Sequence, residues 1–173
     1  SMIYKRYAGH QHYLMIRQFD ESVGWTLKPN RMFELVSEEW HSTVKTNELG
    51  FRGPMPDDDE SNVLVLGDSN TVSLRVDYSD TFLSKLEQRV PYTISKISVG
   101  GWASINQYLA LNQYADRYDP DFVLFQLYLQ NGVVENQKFA VTHDGEVCID
   151  AEHLDMVLPE YQDESSARRV ARR

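Results

Sequence analysis

From residue 63 the chain alternates short apolar runs with amphipathic stretches, and nothing else in it limits the fold so strongly. Val63-Leu64-Val65-Leu66 is an unbroken apolar run closed by Gly67, the pattern of a strand buried on both faces. Residues 78–90 carry Phe82, Leu83 and Leu86 among charges, a helical spacing that Pro91 stops. Residues 92–99, with Ile94 and Ile97, read as a second strand ending at Gly100-Gly101. Residues 104–118 form a second amphipathic helix through Ile105, Tyr108, Leu109, Leu111 and Tyr114, broken by Asp119-Pro120-Asp121. Residues 122–129 are a third strand, apolar almost throughout. Strand, helix, strand, helix, strand with short connections predicts an α/β domain, its parallel sheet covered by helices. Such sheets bind ligands at the carboxyl ends of their strands.

The segments on either side are less regular. Residues 1–62 read as a leader that packs on the core of residues 63–173. In the leader, Phe19, Val23, Trp25 and Leu27 suggest one strand ending at the Pro29-Asn30 turn. Met32, Phe33, Leu35 and Val36 suggest a second, and residues 40–44 a third. Asp57-Asp58-Asp59-Glu60 is most simply a solvated loop. Near the far end, Asp144-Gly145 between apolar runs predicts a hairpin, with strands at 139–141 and 146–149. Residues 163–173 look like the opening of a helix, acids first and four arginines behind, as the helix dipole favours. With no cap after Arg173, the expectation is a core that continues further.

Composition excludes several function classes. Lys plus Arg number 17 against 26 Asp plus Glu, a net charge of −9. A nucleic-acid or anionic-membrane binder needs a basic face, so neither partner is expected. The single cysteine, Cys148, precludes an internal disulfide and any multi-thiolate metal site. With hydrophobic residues at 42%, a packed core is expected. No run approaches the roughly 18 apolar residues of a membrane helix. Ser1-Met2 resembles the scar of tag removal, which leaves a signal peptide or anchor upstream open, and with it the compartment.

Three polar clusters fall at the carboxyl ends of the three predicted strands. Gly67-Asp68-Ser69-Asn70-Thr71 follows the first. A serine on a tight strand-to-helix turn presents its hydroxyl and its N–H, which suits a nucleophile. The plainer alternative is that Ser69 or Thr71 caps the next helix. Ser98-Val99-Gly100-Gly101-Trp102 follows the second strand, where paired glycines let backbone approach a ligand. Gln130-Asn131-Gly132 follows the third, and the Asn131 amide could donate to an oxyanion. Ordinary turns would account for either of these two. Three clusters in register, however, converge on one crevice.

In this order and spacing the clusters resemble the blocks of the SGNH (GDSL-type) hydrolases. The resemblance covers most of residues 19–149. It includes Gly24-Trp25-Thr26-Leu27-Lys28-Pro29-Asn30 and Thr46-Asn47-Glu48-Leu49-Gly50-Phe51-Arg52-Gly53-Pro54, which are similar to segments preceding the serine block in one bacterial branch. It implies a three-layer α/β/α core with a mainly parallel, flavodoxin-like sheet. It also implies a serine esterase or acylhydrolase acting on a small-molecule or carbohydrate ester, without metal or cofactor. Ser69 would be the nucleophile, and its N–H, the Gly101 N–H and the Asn131 amide would form the oxyanion hole. Two departures stand out. Gln130 and Gly132 replace the flanking Gly and Asp of the third block. The family's Asp-x-x-His block is matched in spacing by Asp150-Ala151-Glu152-His153, but only about twenty residues after Asn131 and without an intervening helix and strand. His153 and Asp150 are therefore the weak candidates for base and orienter, and the expectation is that the true block lies past Arg173. The alternative is a non-catalytic relative that binds an acylated sugar or a protein and lacks the base.

The remaining candidates are peripheral. His143 sits in the predicted hairpin turn. His10, His12 and His41 lie in the leader, with no carboxylate or thiol at ligand spacing. Trp25, Trp40 and Trp102 could stack on sugar rings or pack in the core, and Trp102 is nearest the crevice. A sheet ending after the third strand would leave an exposed edge, which further chain or a second copy would cover.

Overall fold

The computed structural model describes residues 3–8, 15–57, 61–129, 136, 140–143 and 146–149. At its centre lies a three-stranded parallel sheet built from Asn62–Gly67 (β6), Thr93–Ser98 (β7) and Phe122–Phe125 (β8), in the order β7-β6-β8. The register pairs Gly67 with Ser98 and Leu66 with Phe125, so the three strands end at one level. Five strands precede them. Ile3–Ala8 (β1) pairs in parallel with Arg31–Val36 (β4), which pairs antiparallel with His41–Lys45 (β5). Arg17–Asp20 (β2) and Gly24–Leu27 (β3) form an antiparallel hairpin. Ala140–His143 (β9) and Glu146–Ile149 (β10) form another, as Asp144-Gly145 predicts.

Three α-helices lie between the sheet strands: Ser69–Val72 (α1), Phe82–Glu87 (α2) and Ser104–Tyr118 (α3). Helix α3 coincides with its predicted span. It buries Ile105, Ala110, Tyr114 and Tyr118, and the Asn106 carboxamide accepts from Ala103 N–H at its first turn. Tyr108, counted with its apolar face, is exposed.

Leader and core share one buried cluster. Ile16, Val23, Trp25, Leu27, Phe33 and Phe51 pack with Leu64, Leu66, Ile97, Trp102 and Tyr114. Polar ties cross the same seam: Trp102 Nε1 donates to Trp25 O at 2.9 Å, Asn106 Nδ2 to Val23 O at 2.8 Å, and Asn47 Nδ2 to the Tyr118 hydroxyl at 3.0 Å. The Asn47 carboxamide also accepts from Leu49 N–H and Phe51 N–H, so one side chain organises the turn formers of residues 46–53.

Several expectations need correction. The single strand read through Phe19 and Leu27 is a hairpin, because the Asp20 carboxylate accepts from Ser22 N–H (2.9 Å) and Val23 N–H (3.1 Å) and turns the chain there. The helix expected over 78–90 is a 3₁₀ turn, Tyr78–Asp80, followed by the short α2, which the Thr81 hydroxyl caps at Ser84 N–H. Only Leu83 of its three apolar residues is buried. The third strand stops at Phe125, short of the expected residue 129, and among the described residues all four of its side chains are exposed, Phe122 and Leu124 by more than half, whereas the other outer strand β7 is buried.

Candidate active site

The carboxyl end of β6 is shaped by close approach. A Cβ added to Gly67 would lie 1.9 Å from Thr71 Oγ1 and 2.9 Å from Gln126 Oε1. Only glycine lets α1 fold back so tightly on the strand that launches it. The Thr71 hydroxyl donates to Gln126 Oε1, and Gln126 N–H donates to Leu66 O at 2.8 Å, which ties the ends of β6 and β8 together.

Neither Ser69 nor Thr71 caps α1. The buried Asp68 does, its carboxylate accepting from Asn70 N–H at 2.9 Å. Ser69 is thereby left exposed, and among the described residues its hydroxyl has no hydrogen-bond partner. Helix α1 ends at Ser73, which adopts the left-handed conformation at φ +50°. That strain is held by Arg52, whose guanidinium donates to the carbonyls of Val72, Ser73, Val76 and Thr43. Burial pushes the Arg52 pKa down to about 10, Asp77 and Tyr78 acting against it. The Gly-Phe-Arg-Gly segment of the leader thus supplies the brace behind the serine turn.

At the end of β7, Gly101 takes φ +86°, a backbone region that side chains disfavour. The Gly100 carbonyl accepts from both Trp25 Nε1 (3.3 Å) and Arg17 Nη2. The Arg17 guanidinium lies over the Trp25 ring, 5.6 Å from its centroid. Beside this turn opens a cavity of about 710 Å³, whose wall includes Ser69, Gly100, Gly101 and Arg17. Val72, Leu74 and Val76 contribute an apolar side, and Arg75 also lines it. Added Cβ atoms would put Gly100 3.8 Å from Ser69 Cβ, and both Gly100 and Gly101 3.4 Å from Arg17 Nη2.

The structure therefore brings Ser69 and Gly101 to one cavity. Asn131, Asp150 and His153 lie outside the described residues, as do His10, His12 and residues 58–60. The backbone of His143 is described in β9 and its side chain is not. His41 pairs with Glu34 at 3.0 Å on the β4–β5 sheet. No described histidine lines the cavity. Among the described residues, no group of three His, Cys, Asp or Glu could hold a metal ion, and no helix is long and apolar enough to cross a membrane. Trp25 and Trp102 are fully buried, so the sugar-stacking alternative fails for both, while Trp40 packs partly buried against the core.

Arg17 is the site residue that sequence reasoning missed. Its position at the start of a short leader strand carries no signal, since the contact with Gly100 spans 83 residues and exists only after the leader has packed. No protein-family model matches the chain, and a search of the curated proteins finds no match.

Proposed function

We propose that the chain carries the nucleophile and oxyanion half of a serine esterase or acylhydrolase site of the SGNH kind, on a three-layer, flavodoxin-like α/β/α core. The observation that carries this reading is the shared cavity: Ser69 and the Gly100–Gly101 turn face it from the level ends of adjacent parallel strands β6 and β7. The β7-β6-β8 order, with the first strand central, is the order such a doubly wound sheet begins with.

In the proposed reaction Ser69 Oγ attacks the ester carbonyl, and its proton passes to a histidine base. The C–O bond to the alcohol then breaks as that proton is returned to the leaving oxygen, which leaves an acyl group on Ser69. The Ser69 N–H, the Gly101 N–H and the Asn131 amide hold the tetrahedral oxyanion. His153, oriented by Asp150, is the weak candidate within the chain for the base. The second reading, a binding module that turns nothing over, is favoured by the cavity wall: its described cations are guanidiniums, which do not serve as proton acceptors near neutral pH.

Intact mass after exposure to a fluorophosphonate separates the two. The activated-serine reading expects one adduct, formed by attack of Ser69 Oγ on phosphorus with loss of fluoride, and no adduct in Ser69→Ala. A folded wild-type protein that takes no label would refute an activated Ser69 in this chain.

A further inference from the structure

We propose that the hydrogen bond from the Thr71 hydroxyl to the Gln126 carboxamide is a latch that fixes the angle at which Ser69 meets the cavity, with Gln126 as its positioning residue. As a statement about reactivity this rests on the esterase reading above, whereas the latch itself does not need turnover.

Gly67 shows where the latch runs. Its φ lies outside the left-handed region, so glycine is not needed there for backbone freedom. It is needed for room. An added Cβ would strike Thr71 Oγ1 at 1.9 Å and Gln126 Oε1 at 2.9 Å, the two atoms that share the hydrogen bond. The bond therefore crosses the bare face of Gly67, just ahead of the serine. Both of its ends are anchored. Thr71 is fully buried, and Gln126 N–H donates to Leu66 O at 2.8 Å, which carries the β6–β8 ladder past its last pair, Leu66 with Phe125. Gln126 is thus tied by its backbone to β6 and by its side chain to α1, across 55 positions of chain. It also interrupts a run from 122 to 129 that is otherwise hydrophobic.

The serine turn needs such a tie. Helix α1 has four residues and closes on Val72 N–H to Asp68 O and Ser73 N–H to Ser69 O, both 3.0 Å, and a turn this short does not hold its own direction. The Asp68 cap acts within the turn, and Arg52 fastens its far end to the leader. The latch is what sets α1 against the end of the sheet. Neither Thr71 nor Gln126 lines the cavity, so losing the latch moves the Ser69 hydroxyl and N–H without removing a contact to the ligand. Misplacing a reacting group by about 1 Å costs on the order of a hundredfold in rate.

The test measures fluorophosphonate labelling in Thr71→Val and Gln126→Leu, which each delete one partner, and in Thr71→Ser and Gln126→Glu, which keep the donor and an acceptor. Gln126 is partly exposed, and Gln126→Leu carries the test should Thr71→Val fail to fold. The inference expects the maximal labelling rate to fall roughly tenfold or more in the deletion variants, with the half-saturating reagent concentration unchanged, and to return most of the way in the conservative ones. A deletion variant that labels at the wild-type rate, or a conservative variant as slow as its deletion partner, overturns the inference and leaves the esterase reading standing. If the folded wild type takes no label, the activated-serine reading falls and amide hydrogen exchange decides the latch. Exchange of Val72 and Ser73 N–H roughly tenfold faster in Gln126→Leu, with the amides of α3 unchanged, upholds it. Unchanged exchange at Val72 and Ser73, or equal acceleration in both helices, overturns it as well.

Discussion

Lys96→Met should make this protein more stable, and the size of the effect can be worked out from the surroundings of the amine. Lys96 sits in the middle of β7, 3% exposed, and among the described residues its Nζ has no hydrogen-bond partner. Burial, with help from the nearby Arg52 charge, pushes its pKa from 10.5 down to about 7, while Glu87 pulls weakly the other way. That displacement corresponds to roughly 5 kcal/mol against the charged folded form. The Tyr78 ring, 4.4 Å from Nζ, offsets about 1–2 kcal/mol of this, leaving a penalty of about 3 kcal/mol near neutral pH. The sign follows from proton counts. Unfolded, the lysine keeps its proton until about pH 10.5; folded, it releases it near 7. Between those values the unfolded state holds more protons, so stability rises with pH. With the ring's share taken off, urea unfolding of the wild type should therefore gain about 2 kcal/mol between pH 7 and 9.5. Above that, the raised pKa values of Tyr78, Tyr114 and Tyr118 reverse the trend, because the unfolded tyrosines ionise first. Methionine fills a similar volume without the charge, so Lys96→Met should exceed wild type by about 2–3 kcal/mol at pH 7 and lose most of the pH dependence. A variant less stable than wild type at pH 7, or one with an unchanged pH slope, would show that the amine is solvated or paired and that the reasoning is wrong.

Two further outcomes probe the site. Gly101→Ala adds a side chain at φ +86°, where the backbone itself is strained for an L residue; it should cost about 1–2 kcal/mol in unfolding experiments and slow ester turnover or fluorophosphonate labelling at least tenfold. Arg52→Met removes the donors from four carbonyls and should destabilise by about 3 kcal/mol, with slower labelling of Ser69, because residues 72–76 line the cavity and lose their brace.

How much of this was legible beforehand differs between elements. Helix α3 could be read directly, since Ile105, Tyr114 and the Asp119-Pro120 stop are local signals. The strand ends at Gly67 and Gly100-Gly101 were equally plain, and with them the placement of Ser69 and Gly101 at one level of the sheet. Apolar runs say that a segment seeks burial, not what lies over it. The apolar run at 122–125 therefore looked like a buried strand, yet among the described residues all four of its side chains are exposed. The Asp20 turn escaped notice because the strand was read through the apolar residues Phe19, Val23, Trp25 and Leu27, across the polar Asp20-Glu21-Ser22 segment whose first carboxylate bonds two nearby N–H groups.

Local chemistry, then, is what the sequence by itself determined: the alternating strands and helices, the glycines at the strand ends, and the exposed serine after β6. Periodicity and turn preference act over a few residues, so they leave a readable trace. The tertiary structure alone decided which distant groups meet. It drew Arg17 across 83 positions to the Gly100 carbonyl, set Arg52 behind the serine turn, and buried Trp25 and Trp102 as the seam between leader and core. Those contacts depend on shape complementarity between segments far apart in the chain, and no local pattern encodes it.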